Sequence, residues 1–154
     1  YETELDDYTK GKLKFPFRNL AVGLHTITFK AWDVYNNPIT SEIQFIVVGD
    51  ESIQITNVLN YPNPFVNYTQ FWFTHNKPFE PLEVQVQVMT VSGKIVWSKN
   101  QTVTTEGFLS REITWDGKDD FGDRIGKGTY IYKLTVKSVL TNTRTEKYEK
   151  LVIL

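Results

Sequence analysis

The 154-residue sequence predicts an all-β fold: an immunoglobulin-like antiparallel β-sandwich of about seven strands, preceded by the last strands of another β-sandwich. Three observations lead there. Leu82-Glu83-Val84-Gln85-Val86-Gln87-Val88 alternates apolar and polar side chains without a break, the period of a half-buried strand. Short apolar runs separated by turn residues recur along the rest of the chain, while helical periodicity is scarce. Pro62 and Pro64 flank Asn63 where no central strand could hold them, because proline has no N–H to give a ladder.

Taken in order, the strands are expected at residues 13–17, 24–32, 42–48, 53–59, 70–75, 82–88, 95–104, 109–115, 129–140 and 144–154. Val91-Ser92-Gly93-Lys94 turns the chain between two of them, with Gly93 as the positive-φ residue. A boundary is expected near Val48-Gly49-Asp50-Glu51-Ser52, where apolar residues give way to small and acidic ones. Residues 51–154 then hold a complete sandwich and residues 1–50 only about three strands. Leu13, Phe15, Phe17, Ile27, Phe29, Phe45 and Val47 need a second layer, so residues 1–50 read as the end of a preceding sandwich. Packing on the second unit, or a strand-exchanged dimer, are the alternatives. A weak echo aligns Trp32-Asp33-Val34-Tyr35-Asn36-Asn37 with Trp115-Asp116-Gly117-Lys118-Asp119-Asp120.

Composition narrows the function. A net charge of −1 argues against a nucleic-acid or anionic-lipid partner. No cysteine is present, which removes disulfides, thiolate catalysis and zinc–thiolate sites, and nothing calls for a cofactor. No apolar run approaches the roughly 18 residues of a membrane helix, so no direct membrane span is expected. The first residue is Tyr1 rather than methionine and no signal peptide is visible, which suggests a mature fragment or a piece of something larger.

Asn60-Tyr61-Pro62-Asn63-Pro64-Phe65, Val91-Ser92-Gly93-Lys94-Ile95-Val96, Trp115-Asp116-Gly117, Gly122, Gly128-Thr129-Tyr130-Ile131-Tyr132 and Lys150-Leu151-Val152-Ile153 together resemble the C-terminal domain of type IX secretion cargo from Bacteroidetes. A looser version of the pattern occurs in flagellar hook-capping proteins. Asp7-Tyr8, Gly11, Phe15-Pro16, Leu20, Gly23-Leu24-His25-Thr26 and Ala31-Trp32-Asp33-Val34-Tyr35-Asn36-Asn37 are similar to the segment ahead of that domain in the system's own sortase family, gingipain-type cysteine peptidases. The resemblance implies a retained, non-catalytic region that holds an upstream peptidase on the outer-membrane barrel PorV at the cell surface, alongside other type IX secretion components. The peptidase's Cys–His pair would lie upstream. Cargo signals commonly finish on lysine, whereas this chain stops at Leu154, which fits retention over cleavage. The alternatives are a cleavable secretion signal on another surface protein and a carbohydrate-binding or adhesive sandwich.

The expected partner-binding residues are Tyr61, Pro62, Asn63, Pro64 and Phe65 of the proline loop, Trp72, and Tyr130, Tyr132, Lys133, Lys137, Lys147 and Lys150 of the last hairpin. A terminal strand with free N–H and C=O groups and cationic flanks suits an acidic loop of a barrel, although edge lysines also serve simply to prevent aggregation. Asp116, Asp119, Asp120 and Asp123 could cage a hard cation, but they lack EF-hand spacing, and a plain aspartate–glycine turn is favoured. His25 and His75 sit in strands without evident catalytic partners. Trp32, Trp97 and Trp115 fall in phase with apolar positions and are expected in the core. Trp72 alternates against Phe71 and Phe73, so it points away from them.

Overall fold

A computed structural model describes residues 2–4, 7–49 and 51–154 and the side chains from residue 11 onward; Tyr1 and Asp50, the latter at the expected boundary, lie outside the described residues. Eleven strands and no helix are present among them. They are β1 (Glu2–Glu4), β2 (Asp7–Lys12), β3 (Gly23–Trp32), β4 (Pro38–Val47), β5 (Ile55–Tyr61), β6 (Thr69–His75), β7 (Leu82–Met89), β8 (Ile95–Val103), β9 (Leu109–Trp115), β10 (Gly128–Ser138) and β11 (Arg144–Ile153).

The last seven strands form two antiparallel sheets, one ordered β5-β6-β9 and the other β11-β10-β7-β8. Their facing sides supply the core. Val84, Val86 and Val88 of β7 and Tyr132, Leu134 and Val136 of β10 meet Phe71, Phe73 and Ile113 of the smaller sheet, and all are fully buried. Each such apolar side chain contributes about 1.5–3 kcal/mol on leaving water. An aromatic chain binds the layers: Phe71 meets Tyr132 edge-on at 4.9 Å, and Trp97 stacks on both Phe71 at 6.2 Å and Trp115 at 5.2 Å. The buried Tyr132 hydroxyl finds no hydrogen-bond partner, and burial, with Glu149 nearby, pushes its pKa up.

One five-residue turn is used three times. In Asp33–Asn37, Thr90–Lys94 and Asp119–Asp123 the first amide donates to the fifth carbonyl and the fourth amide to the first carbonyl. The fourth residue has positive φ each time: Asn36 at 65°, Gly93 at 92° and Gly122 at 91°. The first side chain accepts from the fifth amide, through Asp33 at 2.9 Å, Thr90 at 3.1 Å and Asp119 at 2.8 Å. The echo expected between the two tryptophan–aspartate stretches is therefore real but out of register: Asp33 corresponds to Asp119, not Asp116.

The first fifty residues differ from expectation. Residues 13–17 form no strand; β1 and β2 pair ahead of them, and β3 pairs with a β4 that starts four residues earlier than expected. One face of the β3–β4 hairpin carries Ile27, Phe29, Ala31, Ile39, Ile43 and Phe45, with Phe29, Ile39 and Ile43 largely exposed. Phe17 approaches Phe45 at 6.3 Å and covers only part of it. Trp32, expected in the core, is 57% exposed because it falls on the opposite, polar face, where the Lys30 ammonium sits 5.1 Å from its ring. Trp115 is in the core and Trp97 packs against it, as expected.

The loop after β6 grips the chain between β4 and β5. Buried Lys77 donates its ammonium to the Gly49 carbonyl at 2.8 Å, while Asn76 accepts from the Gln54 amide and donates to the Ser52 carbonyl. His75 anchors the loop. Its Nδ1 accepts from the Lys77 amide at 3.2 Å, and its Nε2 lies 2.8 Å from Thr105 Oγ1. Thr105 donates its own proton to Gly107, so His75 must hold its proton on Nε2 and remain neutral. Burial lowers its pKa to about 4.

The unfolded chain thus binds a proton on His75 that the folded chain refuses between about pH 6.5 and 4. The fold should be fully stable above that window and lose about 2 kcal/mol by pH 5. Urea unfolding at pH 7.5 and pH 5 should show this loss, and His75→Gln should flatten it; an unchanged slope in that variant would count against His75 as its source.

Candidate functional site

The proline loop and the last strand form one unit. Asn60 and Thr69, both buried, root the loop by donating to the Pro62 carbonyl at 3.4 Å and 2.8 Å. The Tyr61–Pro62 and Asn63–Pro64 bonds are both cis. Asn63 then acts as a short strand: its Nδ2 donates to the Lys150 carbonyl at 3.1 Å and its Oδ1 accepts from the Val152 amide at 3.0 Å. The ladder continues in backbone, with the Phe65 amide on the Val152 carbonyl and the Leu154 amide on the Phe65 carbonyl.

Phe65 completes the closure. Its ring packs edge-on against Trp115 at 5.7 Å and lies so close to Gly117 that a Cβ there would meet it at 3.3 Å. Gly117 also has φ 75°, so glycine is required twice over. The Trp115 indole donates to the Lys118 carbonyl at 2.7 Å, and the Arg124 guanidinium donates to the Val66 carbonyl. Hence the proline loop, the Trp115-Asp116-Gly117 turn and the end of β11 meet at one end of the sandwich.

This geometry revises the expected contact residues. Phe65 and Tyr132 are buried and unavailable to a partner, because each fills the core at the face its strand position dictates. Pro62 and Tyr130 are half-buried, and the Tyr130 hydroxyl donates to the Gly126 carbonyl at 2.8 Å. Tyr61, Asn63, Pro64, Lys147 and Lys150 are exposed, with Asn63 already engaged on β11. The terminal edge is open only in part, since the loop seals it from the Lys150 carbonyl to Leu154. Backbone direction alternates, so the groups of Arg144, Glu146 and Tyr148 point to the same outer side and remain open.

The face of β10 away from the core is a charge lattice. Lys133 lies 3.0 Å from Glu146, which raises its pKa, and 5.7 Å from the Tyr148 ring; Arg144 lies 3.7 Å from Glu146 and Lys137 3.5 Å from Glu83. Exposed pairs of this kind add little to stability and weaken with salt. A hollow of about 390 Å³, lined by Val91, Thr129, Ile131, Tyr148, Glu149 and Lys150, adjoins the open edge. Tyr148, Glu146 and Glu149 were missed in the sequence. Counting back by twos from the apolar Leu151 and Ile153 would have placed each on its side of the strand.

On the outer side of the smaller sheet, Trp72 lies 5.7 Å from Tyr61, with the Arg111 guanidinium 5.2 Å over its ring. Its indole N–H donates to Gln70 at 2.8 Å. The aspartate loop serves its own turn. Desolvation alone would raise the Asp116 pKa, but the hydrogen bonds of the Lys118 amide and ammonium and the charge of that ammonium together lower it. Asp119 accepts from Phe121 and Asp123, and Asp120 from the Ser98 amide at 3.4 Å. Among the described residues no three carboxylate or histidine groups converge on a metal-sized space, and Asp123 takes part through its backbone amide.

No family model matches the chain, and no curated protein does. Among solved structures, that of dimeric latent PorU from Porphyromonas gingivalis superposes with a TM-score of 0.60 at 29% sequence identity over 88% of this chain. The chain resembles PorU. It spans 12% of the PorU chain, so the likeness concerns one part of that protein. PorZ, described as an essential bacterial surface component of the type IX secretion system of the same organism, matches 64% of this chain and 11% of its own at 14% identity. Its TM-score of 0.35 says nothing about shared architecture.

Asn63→Ala should cost about 1–2 kcal/mol by removing both side-chain hydrogen bonds to β11. Hydrogen exchange should show the Val152 amide losing protection while those of β7 keep it. Equal protection at Val152 in both proteins would mean that Asn63 does not seal the edge.

Proposed function

We propose that this chain is the non-catalytic C-terminal region of a type IX secretion sortase, docking the enzyme on PorV at the outer surface of the outer membrane. The observation that carries this is the PorU likeness, which at 29% identity covers 88% of this chain, more than the sandwich alone contains. The motifs of residues 60–65, 115–117 and 150–153 point to the same system. The parent protein would be a cysteine endopeptidase or transpeptidase processing cargo C-terminal signals, its catalytic residues lying elsewhere, since this chain has no cysteine.

In this reading residues 1–50 complete a preceding sandwich, and strands of the longer polypeptide cover the apolar face made by Ile27, Phe29, Ile39 and Ile43. Residues 51–154 form the docking unit. Its contact surface is the open part of β11 and the neighbouring exposed loop: Lys147, Tyr148 and Lys150 with Tyr61 and Pro64, and Lys133 and Lys137 behind them. Among the described residues no helix is long and apolar enough to cross a membrane.

Cutting away residues 145–154 would not test this, because Leu151 and Ile153 belong to the core. Lys147→Glu/Lys150→Glu, both exposed, is the better probe. Pull-down on purified PorV should capture the parent chain and lose about tenfold or more of it in the double variant. A chain that never binds PorV refutes the docking role. The pair of exposed Tyr61 and half-buried Trp72 supports a second reading, an adhesive or sugar-binding face, in which glycan-array binding disappears in Trp72→Ala while capture by PorV is absent.

A further inference from the structure

The outer face of the larger sheet is hollow at its middle. Cross-strand pairing sets Glu146, Thr135, Gln85 and Asn100 in one row, and Arg144, Lys137, Glu83 and Thr102 in the next. Thr135 is the shortest outward side chain of the two central strands, flanked by Lys133 and Lys137 along β10 and faced by Gln85 on β7. A short side chain among long ones leaves a dimple. About 470 Å³ opens there, within the size range of ligand pockets. Glu83, Gln85, Asn100, Lys137 and Arg144 line it together with Thr135.

Two features of this hollow are left unsatisfied by the chain itself. Thr135 is 8% exposed, and its hydroxyl has no hydrogen-bond partner among the described residues. A buried hydroxyl without a partner destabilises the fold, and only an incoming polar group can answer it. The charges do not balance either. Three cations share two carboxylates: Lys133 and Arg144 lie 3.0 Å and 3.7 Å from Glu146, and Lys137 lies 3.5 Å from Glu83. Lys137 and Arg144 are directly opposite one another, a like-charge pair that weakens a sheet. Arg144 is the more distant claimant on Glu146, and its side chain is 63% exposed. One positive charge is therefore left over, at the rim of the hollow.

The lining says what would fill it. A guanidinium, an ammonium, two side-chain amides and a hydroxyl all donate, whereas Glu83 alone among the residues named above can only accept. A planar guanidinium fits a carboxylate through two parallel hydrogen bonds. A surplus of one charge suits a carboxylate better than a phosphate, which carries nearly two. The face is broad and open, so a small acid would be poorly enclosed. A side chain borne by a polypeptide lying across the strands brings further contacts with it.

We propose that this hollow receives a glutamate or aspartate side chain of a partner polypeptide, its carboxylate held by Arg144 and the Thr135 hydroxyl. Gln85 and Asn100 then meet the backbone of the same segment. Long neighbours shade Thr135, and the loose, exposed Lys137–Glu83 pair opens as Lys137 turns toward the incoming charge. The site does not depend on docking to PorV, which a pull-down reads separately.

The test titrates the whole isotope-labelled chain and follows its backbone amide signals. The probes are a capped glycine–serine peptide carrying one glutamate, the same peptide with glutamine, propionate and inorganic phosphate. The glutamate peptide should shift the Gln85, Thr135, Lys137 and Arg144 amides saturably, and the glutamine peptide should bind about tenfold more weakly or worse. Arg144→Gln should weaken the glutamate peptide about tenfold. Thr135→Val should weaken it as well, yet melt at or above the wild-type temperature, because valine removes a buried unpaired hydroxyl. A hydroxyl that serves only the fold would give the reverse, lower stability with unchanged binding. That reversal, equal binding of the two peptides, tighter binding of phosphate, propionate that saturates as readily as the peptide, or no saturable shift at these residues would each overturn the proposal.

Discussion

The side chain of Asn63, laid along the edge of β11, is the interaction on which the far end of the sandwich depends. It does the work of a backbone strand where Pro62 and Pro64 have removed two donors. By holding the loop on β11 it places Phe65 over Gly117 and against Trp115, which ties the smaller sheet to the larger one. Arg124 and Asn60 brace the two ends of the same loop from different elements. Among the described residues no strand pair joins the two sheets; this closure does so through the Asn63 side chain, the backbone bonds of Phe65 to β11 and the packing of the Phe65 ring. The opposite end uses a different device, with neutral His75 and buried Lys77 fixing the approach of the preceding segment.

The two outer surfaces of the sandwich differ in kind. Over β10, β7 and β8 lies a solvated lattice of Lys133, Lys137, Glu83, Gln85, Gln87, Ser98 and Asn100, ordinary for an antiparallel sheet with one wet side. Over β5, β6 and β9 lie Leu59 and Leu109 together with Tyr61, Trp72 and Arg111, and the last three are of the types enriched among interface hot spots. Between them runs β11, a long edge strand whose inner side carries Lys147 and Glu149 where apolar residues would be expected. Inward-pointing charges on an edge discourage indiscriminate strand addition. They leave room only for a partner whose charges answer theirs, and such an edge is selective where a neutral one would be sticky.

Most of the architecture was legible because period-two patterning is a physical consequence of burying one face. β7 was readable residue by residue, and the core face of β10 followed from Tyr130, Tyr132, Leu134 and Val136. The first fifty residues were harder because their apolar face lacks its second layer, so hydrophobic phase no longer reported burial. Trp32 went wrong for a different reason: it is one residue out of phase with Ile27, Phe29 and Ala31 and so lies on the polar side of the hairpin. The proline loop was recognised as a boundary feature, yet its bonds to a strand some ninety residues away lie beyond any local pattern. Phe65 and Tyr132 were taken for contact residues because motif membership was read as surface function.

That error has a general cause which bears on where specificity resides. Pro62, Asn63, Pro64, Phe65, Trp115 and Gly117 fit one another, and a set that fits itself is spent internally. Phe65 has no exposed area to offer, Asn63 has both side-chain atoms committed, and Gly117 exists to make room. Residues that distinguish partners have to be exposed and uncommitted. On the closed end Tyr61 and Pro64 meet that condition, and on β11 Lys147, Tyr148, Glu149 and Lys150 do, all of them exposed. A family that keeps such a closure while varying those positions would keep one scaffold and change its partners.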